Sequence, residues 1–199
     1  MAAKKPKKKQ SIRNSEYYNT QECFDQLYQD SLHGKRFTQL MDIVTSEENI
    51  MLAYRSIKKN KGSKTKGTNN STIVQMGEKA PNELISYVRK RLQNFHPHAI
   101  RRVEIPKPDG RLRPLGIPTI EDRIIQQCIK QVLEPICEAK FYKHSYGFRP
   151  NRSAHHAIAR AMFLANQSGF HFVVDVDIKG FFDNVNHGKL LKQLWTLGI

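Results

Sequence analysis

Apolar residues recur at helical spacing over most of this chain and alternate in two places. Between Ser15 and about His33, Tyr18, Cys23, Phe24, Leu27 and Leu32 form an irregular stripe, which predicts one helix. Ser46 is placed to cap a second helix carrying Ile50, Ala53, Tyr54 and Ile57. Lys58 to Ser71 is polar, basic and punctuated by glycine, so it reads as a loop. Leu84, Ile85, Val88 and Leu92 predict a third helix from about Pro81 to Asn94. Ile100 to Ile117 then alternates, with Val103 and Ile105 between Arg102 and Glu104. Lys107-Pro108-Asp109-Gly110 suits the turn of a hairpin that returns through Arg111 and Arg113.

The longest stripe is Ile124, Ile125, Cys128, Ile129, Val132, Leu133 and Ile136, a core-facing helix opened by Thr119 and Asp122. Pro135 is expected to kink or interrupt it. Ser145-Tyr146-Gly147-Phe148-Arg149-Pro150 forms an aromatic, cationic loop. Ser153 caps a helix whose Ala154, Ala157, Ile158, Ala161, Met162 and Ala165 share an inner side, and Gly169 ends it. Phe172 to Lys179 alternates again and predicts a strand. A last helix begins near Asn186-His187 and carries Leu190, Leu191, Leu194 and Trp195. Helices, a hairpin, more helices and a strand make an α+β order without βαβ alternation.

The predicted strand carries the most distinctive chemistry. Phe172, Val174, Val176 and Ile178 fall on one face, and Asp175 and Asp177 share the other, about 6.5 Å apart along the strand. Strand interiors are poor in Asp. A hard cation such as Mg²⁺ is one reason for two; a half-exposed edge strand with solvated carboxylates is the plainer one. Gly180 then breaks the strand into Phe181-Phe182-Asp183.

Charge narrows the partners. The 199 residues carry 33 Lys and Arg against 18 Asp and Glu, a formal net charge of +15, which favours a polyanion such as nucleic acid over an anionic membrane surface. No apolar run approaches the roughly 20 residues of a spanning helix, so no membrane partner is expected. Lys4, Lys5, Lys7, Lys8 and Lys9 suit an arm that gains RNA affinity by counterion release. Cys23, Cys128 and Cys137 fit neither a zinc ribbon nor a disulfide framework, which suits a reducing, cytoplasmic setting. His96-Pro97-His98 and His155-His156 lack metal-ligand spacing and are read as structural or RNA-facing.

Three blocks occur in order: Ile105 to Pro118 followed by Asp122-Arg123; Ser145 to Ser153; and Asp177-Ile178-Lys179-Gly180-Phe181-Phe182-Asp183. Together they resemble the early blocks of bacterial group II intron-encoded reverse transcriptases, also called maturases. The resemblance covers about residues 36–199. It implies a right-hand polymerase: a basic N-terminal extension over 1–35, helix-rich fingers with a β-hairpin over 36–169, and a truncated palm beginning over 170–199. It gives Asp177 the first catalytic carboxylate, with the main-chain carbonyl of Ile178 helping to ligate one of two Mg²⁺ ions. Those ions would activate a primer 3′-hydroxyl and stabilise an in-line phosphoryl transition state. Phe182 matches the aromatic gate that rejects a ribose 2′-hydroxyl. Lys107, Arg111 and above all Arg113 match the cations that hold the incoming dNTP. Tyr146, Phe148, Arg149 and Arg152 match part of an RNA template track.

The chain departs from that pattern in lacking the later Tyr-x-Asp-Asp and in carrying Asn69-Asn70 where relatives often have a Gly-Val-Asp-Gly-like run. The resemblance implies the N-terminal part of a longer enzyme. On its own this part is expected to bind group II intron RNA without extending a DNA primer on an RNA template; an unpaired strand edge leaves self-association open. A non-catalytic RNA splicing chaperone and another right-hand reverse transcriptase, retron-like or diversity-generating, are the rival readings.

Overall fold

The computed structural model describes residues 14–199; the predicted lysine arm, Lys4 to Lys9, lies outside the described residues. The chain forms two compact units. Among the described residues one comprises 14–27 together with Gln39–Glu134, the other Tyr28–Thr38 with Pro135–Ile199.

In chain order the helices are α1 (Asn14–Tyr17), α2 (Gln21–Leu32), α3 (Leu40–Val44), α4 (Glu47–Lys59), α5 (Ile73–Gly77) and α6 (Pro81–Gln93). The strands β1 (Arg101–Pro106) and β2 (Leu112–Ile117) follow, then α7 (Ile120–Glu138), α8 (Ala154–Gln167) and α9 (His187–Thr196). The single helix expected from Ser15 to His33 is two. Asn19 breaks it by adopting a left-handed φ of 54°, a conformation Asn tolerates better than most residues. The peptide N–H of Phe24 then donates to the Thr20 carbonyl at 3.0 Å as α2 begins. Helix α7 runs on to Glu138 despite Pro135. Ser46, Ser153 and Asn186 cap as their residue type favours, each side chain accepting from a peptide N–H in the following turn.

The core of the first unit is built by Ile50, Leu52, Ala53 and Ile57 of α4, Ile73 and Met76 of α5, Leu84, Ile85 and Val88 of α6, and the stripe of α7 from Ile120 to Val132. Asn49 lies wholly inside it. Its Nδ2 donates to the carbonyls of Val44 (3.0 Å) and Cys128 (3.1 Å). Its Oδ1 and carbonyl both accept from Nε2 of Gln131, at 2.7 and 3.1 Å. A buried amide so fully paired ties α4 to α7 in one register. Burial in this core pushes the Cys128 thiol up to about 12, so it is an inert packing residue.

The loop after α4 is held against the start of α7. Arg123 donates to the carbonyls of Pro118 (3.1 Å), Gly62 (2.9 Å) and Thr65 (2.8 Å). Gly67 sits so close that a Cβ there would come within 2.6 Å of the Thr119 Cα. Asn70 takes the left-handed φ of 59° that a glycine would otherwise supply. Beside it Asn69 Nδ2 donates to both carboxylate oxygens of Glu121, each at 3.0 Å. Burial alone would raise the Glu121 carboxyl. The hydrogen bonds from Asn69, its own backbone and Ser71, with the charge of His98, outweigh burial and lower it.

In the second unit Ser31 Oγ donates to the Ile136 carbonyl at 2.9 Å. The Phe37 N–H meets the Gly198 carbonyl at 2.8 Å, and Arg36 lies 5.5 Å above the Trp195 ring. Two expectations fail here. Residues 171–178 form no regular structure, and Phe172, Val173, Val174, Val176 and Ile178 are 64–95% exposed, on both parities alike. A strand must satisfy its N–H and C=O groups on a neighbouring strand. Among the described residues the one ladder is β1 with β2. Likewise α8 buries none of its residues; Ile158 and Met162, expected to face inward, are 57% and 58% exposed.

Candidate active site and nucleic-acid interface

Three groups of residues carry the candidate chemistry. The first is the hairpin. Its register pairs Arg101 with Ile117, Val103 with Leu115 and Ile105 with Arg113. Directly paired residues share a face, and successive residues along a strand point to opposite faces, so Arg101, Val103, Ile105, Arg113 and Leu115 line one side. Lys107 and Arg111 flank the turn at the end of that side, the Lys107 N–H donating to the Arg111 carbonyl at 2.8 Å. Gly110 closes the turn on the Lys107 carbonyl at 3.0 Å with a φ of 79°, as its place in Lys-Pro-Asp-Gly suggests. Arg111 is partly committed, its Nη2 lying 2.7 Å from Asp109 Oδ2. That contact holds the Asp109 carboxyl below the usual range. Lys107 and Arg113 take part in no ion pair among the described residues. The hairpin therefore presents an exposed face that mixes aliphatic side chains with four cations. Arg101 belongs to it by the same alternation that marks Val103 and Ile105, a signal the sequence offered and the candidate set omitted.

A buried anchor holds the base of the hairpin. Asp122, 2% exposed, accepts from Arg91 Nη2 (2.8 Å) and from the His98 peptide N–H (2.7 Å), with His98 Nδ1 at 3.1 Å. Thr119 Oγ1 receives the Asp122 N–H at 3.4 Å. Only half of a capping box forms, because the Asp122 carboxylate is taken by Arg91 and His98. His98 is structural, as one of its two readings had it.

The second group is the Ser145-to-Arg152 loop. Arg149 turns inward. Its Nε and Nη2 reach Glu138 at 2.9 and 2.6 Å, and its Nη1 donates to the carbonyls of Tyr142 and Ser145 at 2.7 and 3.0 Å. With its side chain 5% exposed, Arg149 clamps the loop and offers no free cation to a template. The clamp holds Phe148 in a left-handed φ of 55°, a conformation costing a bulky residue about 1–2 kcal/mol, and leaves its ring fully exposed. Arg152 lies 5.7 Å over the Tyr146 ring and donates to the Lys143 carbonyl at 2.8 Å. Exposed rings beside arginine suit base stacking.

The third group is the segment after residue 170. Asp175 and Asp177 are both exposed. Gly180 turns the chain with a φ of 59°, and its carbonyl accepts from Asn184 Nδ2 at 2.8 Å and from the Asp183 N–H at 3.1 Å. Asn184, a residue the sequence did not single out, holds this turn with its side chain. Phe182 is 89% exposed and packs edge to face on Phe181, centroids 5.3 Å apart. Asp177, Ile178 and Phe182 thus belong to one exposed segment with a fixed turn. Among the described residues no group of three or more His, Cys, Asp or Glu side chains is placed to hold a metal ion. One carboxylate and a main-chain carbonyl do not complete a Mg²⁺ site. No helix among the described residues is long and apolar enough to cross a membrane.

Residues 105–199 match the family described as reverse transcriptase (RNA-dependent DNA polymerase). The chain is 37% identical over 164 residues to protein YkfC of Escherichia coli strain K12, covering 80% of this chain and 43% of that protein. It is 33% identical over 174 residues to the group II intron-encoded protein LtrA of Lactococcus lactis subsp. cremoris, covering 87% and 27%. It is also 33% identical over 174 residues to the putative COX1/OXI3 intron 1 protein of Saccharomyces cerevisiae, covering 86% and 20%. The chain spans less than half the length of these curated relatives. The family match takes in the second hairpin strand, the Arg149 loop and Asp177, so the chain carries a segment similar to reverse transcriptases, among them proteins named as group II intron-encoded.

Proposed function

We propose that the full-length protein is an RNA-directed DNA polymerase that also binds its group II intron RNA and assists its splicing. In this reading residues 36–169 are fingers and residues 170–199 open the palm. The observation that carries it is the reverse transcriptase match across residues 105–199, which includes Asp177 and the aromatic turn after it. Asp177 and the main-chain carbonyl of Ile178 would be two ligands of a divalent cation, and Phe182 would stand against the sugar of the incoming nucleotide. Such a cation, once bound, supplies charge stabilisation at the transferred phosphoryl group.

The residues of this chain do the binding. Lys107, Arg111 and Arg113 would neutralise the triphosphate from one hairpin face, while Val103, Ile105 and Leu115 beside them exclude water. Tyr146, Phe148 and Arg152 would carry template RNA by stacking and charge; Arg149 contributes by shaping that loop. The excess of basic residues, +15 overall, favours RNA as the partner, and the protein would act in the cytoplasm.

Primer extension tests the proposal. Full-length wild-type protein with an RNA template, a DNA primer, dNTPs and Mg²⁺ is expected to extend the primer. Asp177→Asn is expected to reduce extension at least a thousandfold while intron RNA binding stays within about threefold. Undiminished extension by Asp177→Asn would refute the catalytic assignment. RNA binding and splicing without extension by the wild type would leave the chaperone reading standing.

A further inference from the structure

In the second unit the loop before α8 and the helix itself gather a cluster that adds Tyr142, Lys143, His144 and Arg160 to Tyr146 and Arg152. Tyr142, His144 and Tyr146 stand at alternate positions, and their rings form a row. Tyr142 and His144 meet edge to face with centroids 5.4 Å apart; His144 and Tyr146 are 6.5 Å apart and tilted by 35°. His144 Nδ1 lies 3.2 Å from the Tyr146 hydroxyl. Arg152 caps the row over Tyr146. The charged groups acting on the His144 ring are Arg160, Lys143 and Arg152, all cations. None of the three is in an ion pair among the described residues. Arg160 lies over the Phe163 ring at 5.2 Å, and its Nε has no hydrogen-bond partner among the described residues. A half-buried imidazole among three cations that no ion pair neutralises and two tyrosines is a poor arrangement for the empty protein and a good one for an anion carrying bases.

We propose that Lys143, His144, Arg152 and Arg160 form a binding site for an RNA phosphate, with Tyr142 and Tyr146 taking the flanking bases, and that His144 joins the site as the imidazolium. The inference rests on the RNA-binding reading above and adds its chemistry. Half-burial of the ring, then the charges of Arg160, Lys143 and Arg152, hold the His144 pKa below its ordinary value of 6.5 in the free protein. A bound phosphate offsets the three cations and accepts from the protonated ring, so the pKa rises on binding. The complex then holds more protons than the separated partners. Linkage gives the sign: affinity strengthens as pH falls through the neutral-to-acid range, by at most about tenfold per pH unit for one proton.

Calorimetric titration of the whole chain with an unstructured single-stranded oligoribonucleotide at pH 6.5, in two buffers of different ionisation enthalpy, counts the protons taken up. The wild type is expected to take up a substantial fraction of a proton. His144→Gln is expected to lose that fraction. The His144 ring signal in wild-type NMR spectra is expected to titrate at higher pH with the oligonucleotide than without it, a readout that needs no variant. Binding with equal proton uptake in both proteins, or an unshifted His144 titration, would overturn the site and leave the RNA-binding reading intact. No binding by the wild type at any pH would overturn both.

Discussion

Arg149 makes four hydrogen bonds, two to one carboxylate and two to carbonyls of its own loop. Replacing it with Ala strands Glu138 and frees the segment that carries Phe148. Arg149→Ala is expected to lower the thermal midpoint by about 5 °C or more, which a calorimetric scan reads; an unchanged midpoint would show that the clamp is dispensable. Sequence alone placed this arginine in the template track because arginine beside aromatic rings reads equally well as a stacking surface or a buried strut. What separates the two is Glu138, eleven positions earlier, and no local pattern pairs them. The same limit applies to Asn69. Its residue type suits a turn, but its bond to Glu121 depends on a loop folding back across 52 residues. Cys128 was legible, since a cysteine within an unbroken apolar stripe is packing first.

Elements whose cause is local were readable, and those that depend on a distant partner were not. The hairpin follows from alternation and from Lys-Pro-Asp-Gly, and its paired register matches that reading. The caps at Ser46, Ser153 and Asn186 are likewise short-range. The break at Asn19 left no mark stronger than an asparagine within a stripe. The strand expected over 172–179 has the right alternation, yet a ladder is a property of two segments, and the described residues supply no neighbour. The hairpin also carries its own prediction. If Lys107, Arg111 and Arg113 each meet a phosphate, replacing all three with Gln should reduce the log–log salt slope of single-stranded RNA binding by about 2, from roughly 0.7 per contact. Fluorescence anisotropy across a salt series measures it, and an unaltered slope would take this face out of the binding surface.

For the molecule as a whole, the chemistry was legible as an ordered set of blocks more than as any single motif. Ile105 to Pro118, Ser145 to Ser153 and Asp177 to Asp183 each admit a plain structural reading, and each has a structural part to play: a turn, a clamp and a glycine bend. Their order carried the family. What the blocks do not contain is a complete metal site, because hard cations collect oxygen ligands from separated stretches of chain. The catalytic assignment therefore rests on one carboxylate, that of Asp177. Fe²⁺ exchanged for Mg²⁺ in the full-length protein, with ascorbate and peroxide, cuts peptide bonds beside the ion. Cleavage is expected within a few residues of Asp177, suppressed by excess Mg²⁺ and lost in Asp177→Asn. Cleavage that spares residues 170–185, or that persists unchanged in Asp177→Asn, would contradict that assignment.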